Sequence, residues 1–195
     1  MPRRYTLGKR AEQHASTRER IVSAALGLIR QGGLRAASVR AVAAAADVAP
    51  ATVRNHFPDR AALADAAADA VLAEIHPPGV EIFAGLTSAT GRVERLAREL
   101  SAFADRSVAW WNVQQADPDL VAAWAGQEAK FAEHQRRLVE AAVEPLGEDP
   151  VAVAVTTNIV GYSMYYGLLS QGLSSEDVVQ VQLSVILPWL EQRSG

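Results

Sequence analysis

Cysteine is absent from all 195 residues, which excludes disulfides, thiolate metal sites and thiol catalysis. No apolar run approaches the roughly 18 uninterrupted residues of a membrane span. The N-terminus, MPRRYTLGKR, is basic but has no apolar run behind it, so it does not read as a secretory signal. The four histidines, His14, His56, His76 and His134, are scattered, without the i,i+4 pair that marks a helical metal site. Neither a Gly-rich phosphate loop nor a nucleophile elbow occurs. The expectation is therefore a cytoplasmic protein that is not an enzyme, with no catalytic residues, no cofactor, no metal site and no membrane partner.

What is present is unevenly distributed. The net charge is −3, yet residues 1–60 carry 11 Lys/Arg against 4 Asp/Glu, and residues 61–195 carry 8 against 18. A basic first third on an acidic remainder suggests a nucleic-acid-binding module joined to a body that DNA repels.

Within that basic third, SVRAVAAAADVAPATVRNHFPDR (Ser38–Arg60) has two short apolar-periodic segments separated at Ala46, Asp47 and Val48. This pattern reads as a helix-turn-helix, which places its second helix in the DNA major groove. A preceding helix is predicted to start at Ser16, where Ser16 and Glu19 have capping-box spacing, and to end at Gly32-Gly33. Ile21, Ala25, Leu28 and Ile29 form its apolar stripe. Ser38 is the predicted N-cap of the second helix, with Val39, Val42, Ala43 and Ala46 inward. Val53 and Phe57 of a third helix, about residues 50–57, close the small core. Asp47 sits where the turn needs positive φ, and Ala49 where a capping side chain is expected. Pro50 suits a first turn, Pro58 stops the helix, and Asp59 can cap the next.

The core does not use Ala51, Thr52, Arg54, Asn55 or His56, so these are the candidate DNA-facing residues. Arginine can read guanine bidentately, asparagine can read adenine, and Thr or Ala methyls can touch the thymine methyl. Arg40, His56 and Arg60 suit phosphates. Arg3, Arg4, Lys9 and Arg10 form a basic arm, read as flexible, that either follows the minor groove or is a solubilising tail.

The stretch from Thr17 to Leu63, with TRERIVSAALGLIRQGG, SVRAVAAAADV and ATVRNHFPDRAAL in order, resembles the TetR family of bacterial transcriptional regulators. The resemblance implies that Ser38, Arg40, Thr52, His56 and Arg60 lie near DNA and that Pro50–Phe57 is the recognition helix. Three positions depart from the family pattern: Arg54 replaces a phosphate-contacting tyrosine, Asp47 a turn glycine and Ala49 a capping serine. The family implies an all-helical ligand-binding and dimerisation domain for the rest of the chain.

The remaining residues read as helices. One runs from about Arg60 to Ile75, ended by His76-Pro77-Pro78-Gly79. Four longer segments follow: about Gly91–Gln115; a helix starting at Asp117-Pro118, bending near Gly126 and reaching about Leu146; one from Pro150; and a last one capped by Ser174 and Asp177. The fold class is all-α: a basic arm (1–15), a helix-turn-helix domain (16–60) and a larger helical ligand-binding and dimerisation domain (61–195). Aromatic and amide side chains at helical spacing, namely Phe103, Trp110, Trp111, Gln114, Trp124, Phe131, Asn158, Tyr162 and Tyr165, fit either a filled core or the lining of a pocket for a small effector. Asn158 is expected to be buried, and His134 to lie on the surface. Because Arg and Lys are sparse between Arg106 and Arg136, the effector is expected to be neutral or cationic and largely hydrophobic. Tyr166, Leu169 and Leu173, with Val179, Leu183, Ile186 and Leu190, give more apolar surface than one layer needs and are the candidate homodimer interface. The functional expectation is a ligand-responsive transcriptional regulator, a homodimeric repressor released from a palindromic operator on double-stranded DNA by a small hydrophobic effector. The alternative is a DNA-binding dimer whose second domain serves only dimerisation or a protein partner.

Overall fold

The structure, a computed structural model, describes residues 3–193, with side chains from Arg10 onward. Among the described residues there are nine α-helices: α1 (Arg3–Ala36), α2 (Val39–Ala45), α3 (Pro50–His56), α4 (Arg60–Ile75), α5 (Ala89–Gln115), α6 (Pro118–Val143), α7 (Pro150–Val160), α8 (Tyr162–Leu169) and α9 (Ser175–Glu191). Short 3₁₀ turns at Val80–Phe83 and Glu144–Leu146 complete the chain. The fold is all-α, with an N-terminal helix-turn-helix bundle and a larger helical remainder.

The first helix begins earlier than its sequence suggests. Residues 3–15 are helical and continuous with α1, rather than an irregular arm; Met1 and Pro2 of the expected arm lie outside the described residues. Ser16 therefore sits in a helix interior and is not an N-cap. The helix formers Leu7, Lys9, Arg10, Ala11, Glu12 and Gln13 carry the helix back past it. The predicted end is where the sequence puts it. Gly32 (φ −152°, ψ 24°) and Gly33 (φ 69°, ψ −173°) break the helix before a last turn through Ala36.

The chain folds as two compact units: residues up to Glu74 with Ala109–Gln127, and Ile75–Val108 with the chain from Glu128 on. This division differs from the sequence boundary at Arg60/Ala61, because α5 and α6 each contribute residues to both units.

In the first unit the helix-turn-helix core consists of Ile21, Ala25, Ile29, Leu34, Val42, Ala43, Ala46, Val53 and Phe57, all buried. In the second, Leu96, Leu100, Leu138, Val139, Val160, Leu183, Ile186 and Leu190 form one apolar core, and α7, α8 and α9 pack on one another. That core corrects the expected dimer stripe. Val179, Leu183, Ile186 and Leu190 are buried within the single chain, while Tyr166, Leu169 and Leu173 are half-buried against Ala104, Tyr165 and Val178. Helical spacing shows that a stripe will be covered, not by what, and here this chain's own α5, α6 and α7 cover most of it.

Two further expectations change. The helix through Gly126 runs without interruption as α6. The helix from Pro150 breaks at Gly161 (φ −76°, ψ 167°), where a Cβ would strike the Thr157 carbonyl oxygen. The break resets the helical register. Ala152, Thr156 and Val160 face inward on α7, and Asn158 is exposed, its amide donating to the Ala154 carbonyl at 2.8 Å. The last helix starts as expected, with a reciprocal capping box between Ser174 and Asp177.

Candidate nucleic-acid interface and effector-side residues

Three local devices set the α2–turn–α3 geometry. Ser38 has extended backbone (φ −69°, ψ 151°), and its Oγ accepts the Ala41 N–H at 3.3 Å, which starts α2. At the other end Asp47 takes φ 52°; its N–H donates to the Ala44 carbonyl at 3.3 Å, and the Val48 N–H donates to the Ala43 carbonyl at 3.0 Å. This is a Schellman closure with aspartate in the left-handed position that glycine fills most easily. Ala49 makes no side-chain cap, so α3 relies on Pro50 in its first turn, and Phe57 ends it in extended conformation. Asp59 then caps α4, its Oδ1 accepting the Ala62 N–H at 2.8 Å.

With Val53 and Phe57 buried, α3 leaves Ala51, Arg54 and Asn55 exposed and Thr52 and His56 partly so; Ser38, Arg40 and Arg60 are exposed beside it. The predicted DNA-facing set is thus gathered on and around one short helix. Arg10 is exposed on α1, and Arg3, Arg4 and Lys9 lie on the same helix. His56 packs under α1. Its ring lies 4.1 Å from that of His14, centroid to centroid, and its Nδ1 is buried without a hydrogen-bond partner. Burial, followed by the charges of His14 and Arg18, pushes the His56 imidazole below its ordinary value.

The candidate effector residues separate into two groups. In the first unit, Trp110 and Trp124 are buried with ring centroids 6.2 Å apart, and Trp124 Nε1–H donates to the Ala64 carbonyl at 3.0 Å. The Arg30 guanidinium covers the Trp110 ring at 4.2 Å. Gln114 is buried, whereas Trp111 is 40 % exposed and lies outside the buried set. In the second unit, Phe103 stacks on Phe131 at 5.4 Å, Tyr162 lies 5.6 Å from Phe131, and Tyr166 lies 6.0 Å from Tyr162. The Tyr162 hydroxyl is buried without a partner, and burial pushes its phenol well above the ordinary range. Tyr165 is committed elsewhere: its hydroxyl donates to Asp105 at 2.9 Å and accepts from Ser101 at 3.3 Å. Among the described residues no group of three or more His, Cys, Asp or Glu side chains could hold a metal, and no helix is long and apolar enough to cross a membrane.

Residues 21–67, which span the end of this first helix, the whole helix-turn-helix and half of α4, match the family described as bacterial regulatory proteins, tetR family. The helix-turn-helix segment of this chain is of the TetR type. Its fold is similar to the crystal structure of the multidrug binding protein EbrR complexed with imidazole: 21% identity, TM-score 0.56, covering 89% of this chain and 88% of that one. No curated protein sequence matches it. The N-terminal part of the chain thus carries the helix-turn-helix of bacterial regulatory proteins, on an all-α fold similar to that structure.

Some residues that position this TetR-type module are not apparent from sequence. Asp117, between α5 and α6, accepts three backbone N–H groups. Its Oδ2 takes Leu34 at 2.5 Å, immediately after the Gly32-Gly33 break, and its Oδ1 takes Asp119 at 3.0 Å and Leu120 at 3.4 Å as the α6 cap. A Cβ on Gly33 would collide with the Asp117 carboxylate. Arg35 pairs with Asp119 at 2.8 Å, which holds that carboxyl below its usual range. Arg30 Nη2 donates to both carboxylate oxygens of Glu74, and Gln127 donates to Asp69 at 3.0 Å. Sequence shows Asp117-Pro118 only as a helix start; its second bond links positions 83 residues apart. His134 is likewise not a free surface group: its Nε2 lies 2.7 Å from the Pro78 carbonyl, so it carries the proton and donates.

Proposed function

We propose that this regulator is a ligand-responsive homodimer that binds a palindromic operator and is released from it by a small, largely hydrophobic effector, and so acts as a repressor. The observation that carries the reading is the solvent-facing surface of α3. Its buried side is used up by Val53 and the flanking Phe57, while Ala51, Arg54 and Asn55 point outward with Thr52 and His56 alongside. Such a helix can read base edges, with Ser38, Arg40 and Arg60 holding phosphates. Arg3, Arg4, Lys9 and Arg10 add positive charge along the same helical extension. Two heads about 34–36 Å apart meet successive major-groove faces of a palindrome.

Several features support the effector part of this reading. The Phe103–Phe131–Tyr162 cluster contains a buried, unpartnered hydroxyl, which an effector can satisfy. Trp110, Gln114 and Trp124 are buried in the other unit. The similar structure is described as multidrug binding. An effector acts by binding one head separation better than the other, with a coupling of about 1–3 kcal/mol typical of such systems. With the α9 stripe committed to the core, Val151 of α7 and Val185 of α9 are the exposed large apolar side chains on those two helices and are open to a second copy.

Fluorescence anisotropy on a labelled duplex from the DNA upstream of the coding sequence, against a scrambled duplex across a salt series, tests this. Tight, salt-dependent preference for the upstream duplex with two chains per site is expected, as is release by hydrophobic cations in a ligand screen. Equal binding to both duplexes with no ligand effect would overturn it.

A further inference from the structure

The basic extension of α1 carries a second histidine onto the recognition helix. The His14 and His56 rings are 4.1 Å apart and inclined by 37°. His14 is exposed, whereas His56 is half-covered with its Nδ1 buried and unpartnered. The other charged group facing His56 from α1 is Arg18, whose guanidinium lies 5.1 Å from the Phe57 ring centroid. Arg54, on its own helix, and Asp59 and Arg60, in the following turn and at the start of α4, are the remaining charges near it in sequence.

We propose that His14 is a positioning residue for DNA binding: packed against His56, it fixes that imidazole at the end of the recognition helix and sets the pH range over which phosphate engagement is proton-coupled, so that DNA is held more tightly as the pH falls. The inference rests on the DNA-binding reading above and adds to it.

The chemistry follows from the spacing. Positive charge on His14, 4.1 Å away, and on Arg18 opposes a proton on His56 in the DNA-free protein. A phosphate arriving at the pair replaces water with negative charge and reverses that balance. His56 titrates below its ordinary value when free, because of burial and its cationic neighbours, and a phosphate moves it up. Between those two values binding takes up a proton. Affinity therefore increases as pH falls through the DNA-bound value and levels off below the free one. Uptake of one proton, summed over the two heads, corresponds to about tenfold per pH unit within that window.

The test measures anisotropy with the upstream and scrambled duplexes from pH 6.0 to 8.0 for wild type, His14→Ala and His14→Phe. Wild type is expected to bind about tenfold more tightly at the acid end. H14A loses affinity several-fold at every pH, because the His56 ring is released. H14F restores most of it by packing an aromatic ring against His56, but without the second charge its pH midpoint moves upward. In DNA-free protein, NMR titration of the His56 ring is expected to move upward in H14F by the same reasoning. Unchanged affinity and midpoint in both variants, or an unmoved His56 titration in H14F, would overturn the inference. Binding that is tight but flat with pH would remove this inference alone, whereas no DNA binding at any pH would remove the DNA reading with it.

Discussion

Asp117→Ala offers the sharpest energetic test of how the reading head is held. The carboxylate caps α6 through the Asp119 and Leu120 N–H groups, and loss of an N-cap costs about 1 kcal/mol. It also accepts the Leu34 N–H, a half-buried donor that alanine would strand at a cost of about 1–2 kcal/mol. The expected loss is therefore about 2–3 kcal/mol. Asp117→Asn keeps an acceptor oxygen and should lose about half of that. Gly33→Ala is the partner perturbation. It places a Cβ at φ 69° against the same carboxylate, so it is costly in wild type and cheaper once Asp117 is alanine. The double-mutant cycle should show a coupling of at least about 0.5 kcal/mol. Urea unfolding at fixed protein concentration, followed by tryptophan fluorescence, suits the question because Trp110, Trp111 and Trp124 belong to the unit in which these bonds lie. A D117A loss below about 0.5 kcal/mol, or additive single mutants, would refute the reasoning.

Other outcomes are expected elsewhere. Arg54→Ala should weaken binding to both upstream and scrambled duplexes, by about 1–3 kcal/mol for the upstream one, and lower the salt slope by about one, measured by anisotropy; undiminished affinity would remove Arg54 from the interface. Tyr162→Phe removes a buried hydroxyl without a partner, so thermal unfolding should be unchanged or shifted upward, while calorimetry with an effector that releases DNA should show weaker binding. The Glu133 carboxyl is lowered to about 2 by Arg136 and then Arg137. Because its folded value is depressed, its contribution is present above the ordinary 4.5 and is lost as pH falls towards 2. Glu133→Gln should make stability fall less steeply across that window, and the difference should shrink in high salt because the group is solvent-screened; an identical acid profile would remove the pairing as a contributor.

What the sequence made legible was local. Ser38, Pro50, Pro58, Asp59 and the Ser174–Asp177 box act within a few residues of themselves, and each performs its expected part. Asp47 at φ 52° is what a missing turn glycine requires. The failures were of two kinds. One was competition between valid signals: Ser16 and Glu19 have capping spacing, but the residues before them are adequate helix formers and the helix runs on. The other was identity of the covering surface. Leu183, Ile186 and Leu190 form a genuine stripe whose partner is this chain's own core. Asn158 was placed inward on a register that the Gly161 break interrupts. Hydrogen bonds across tens of residues, Asp117 to Leu34 and Trp124 to Ala64, have no periodic signature at all.

The DNA-reading unit is discontinuous in sequence, and this bears on synthesis and on domain grafting. A chain emerging from the ribosome completes the three helices of the reading head early, yet the groups that satisfy Leu34, Arg35, Ala64 and Asp69 arrive only with Asp117, Asp119, Trp124 and Gln127. Until then the head lacks part of its own hydrogen bonding. A fragment cut after Glu74 would stay in that condition permanently, so a cassette of the first 74 residues is expected to be less stable than the same head in the whole chain. A graft of matching stability would need to carry the α5–α6 turn with it, supplied as a second segment.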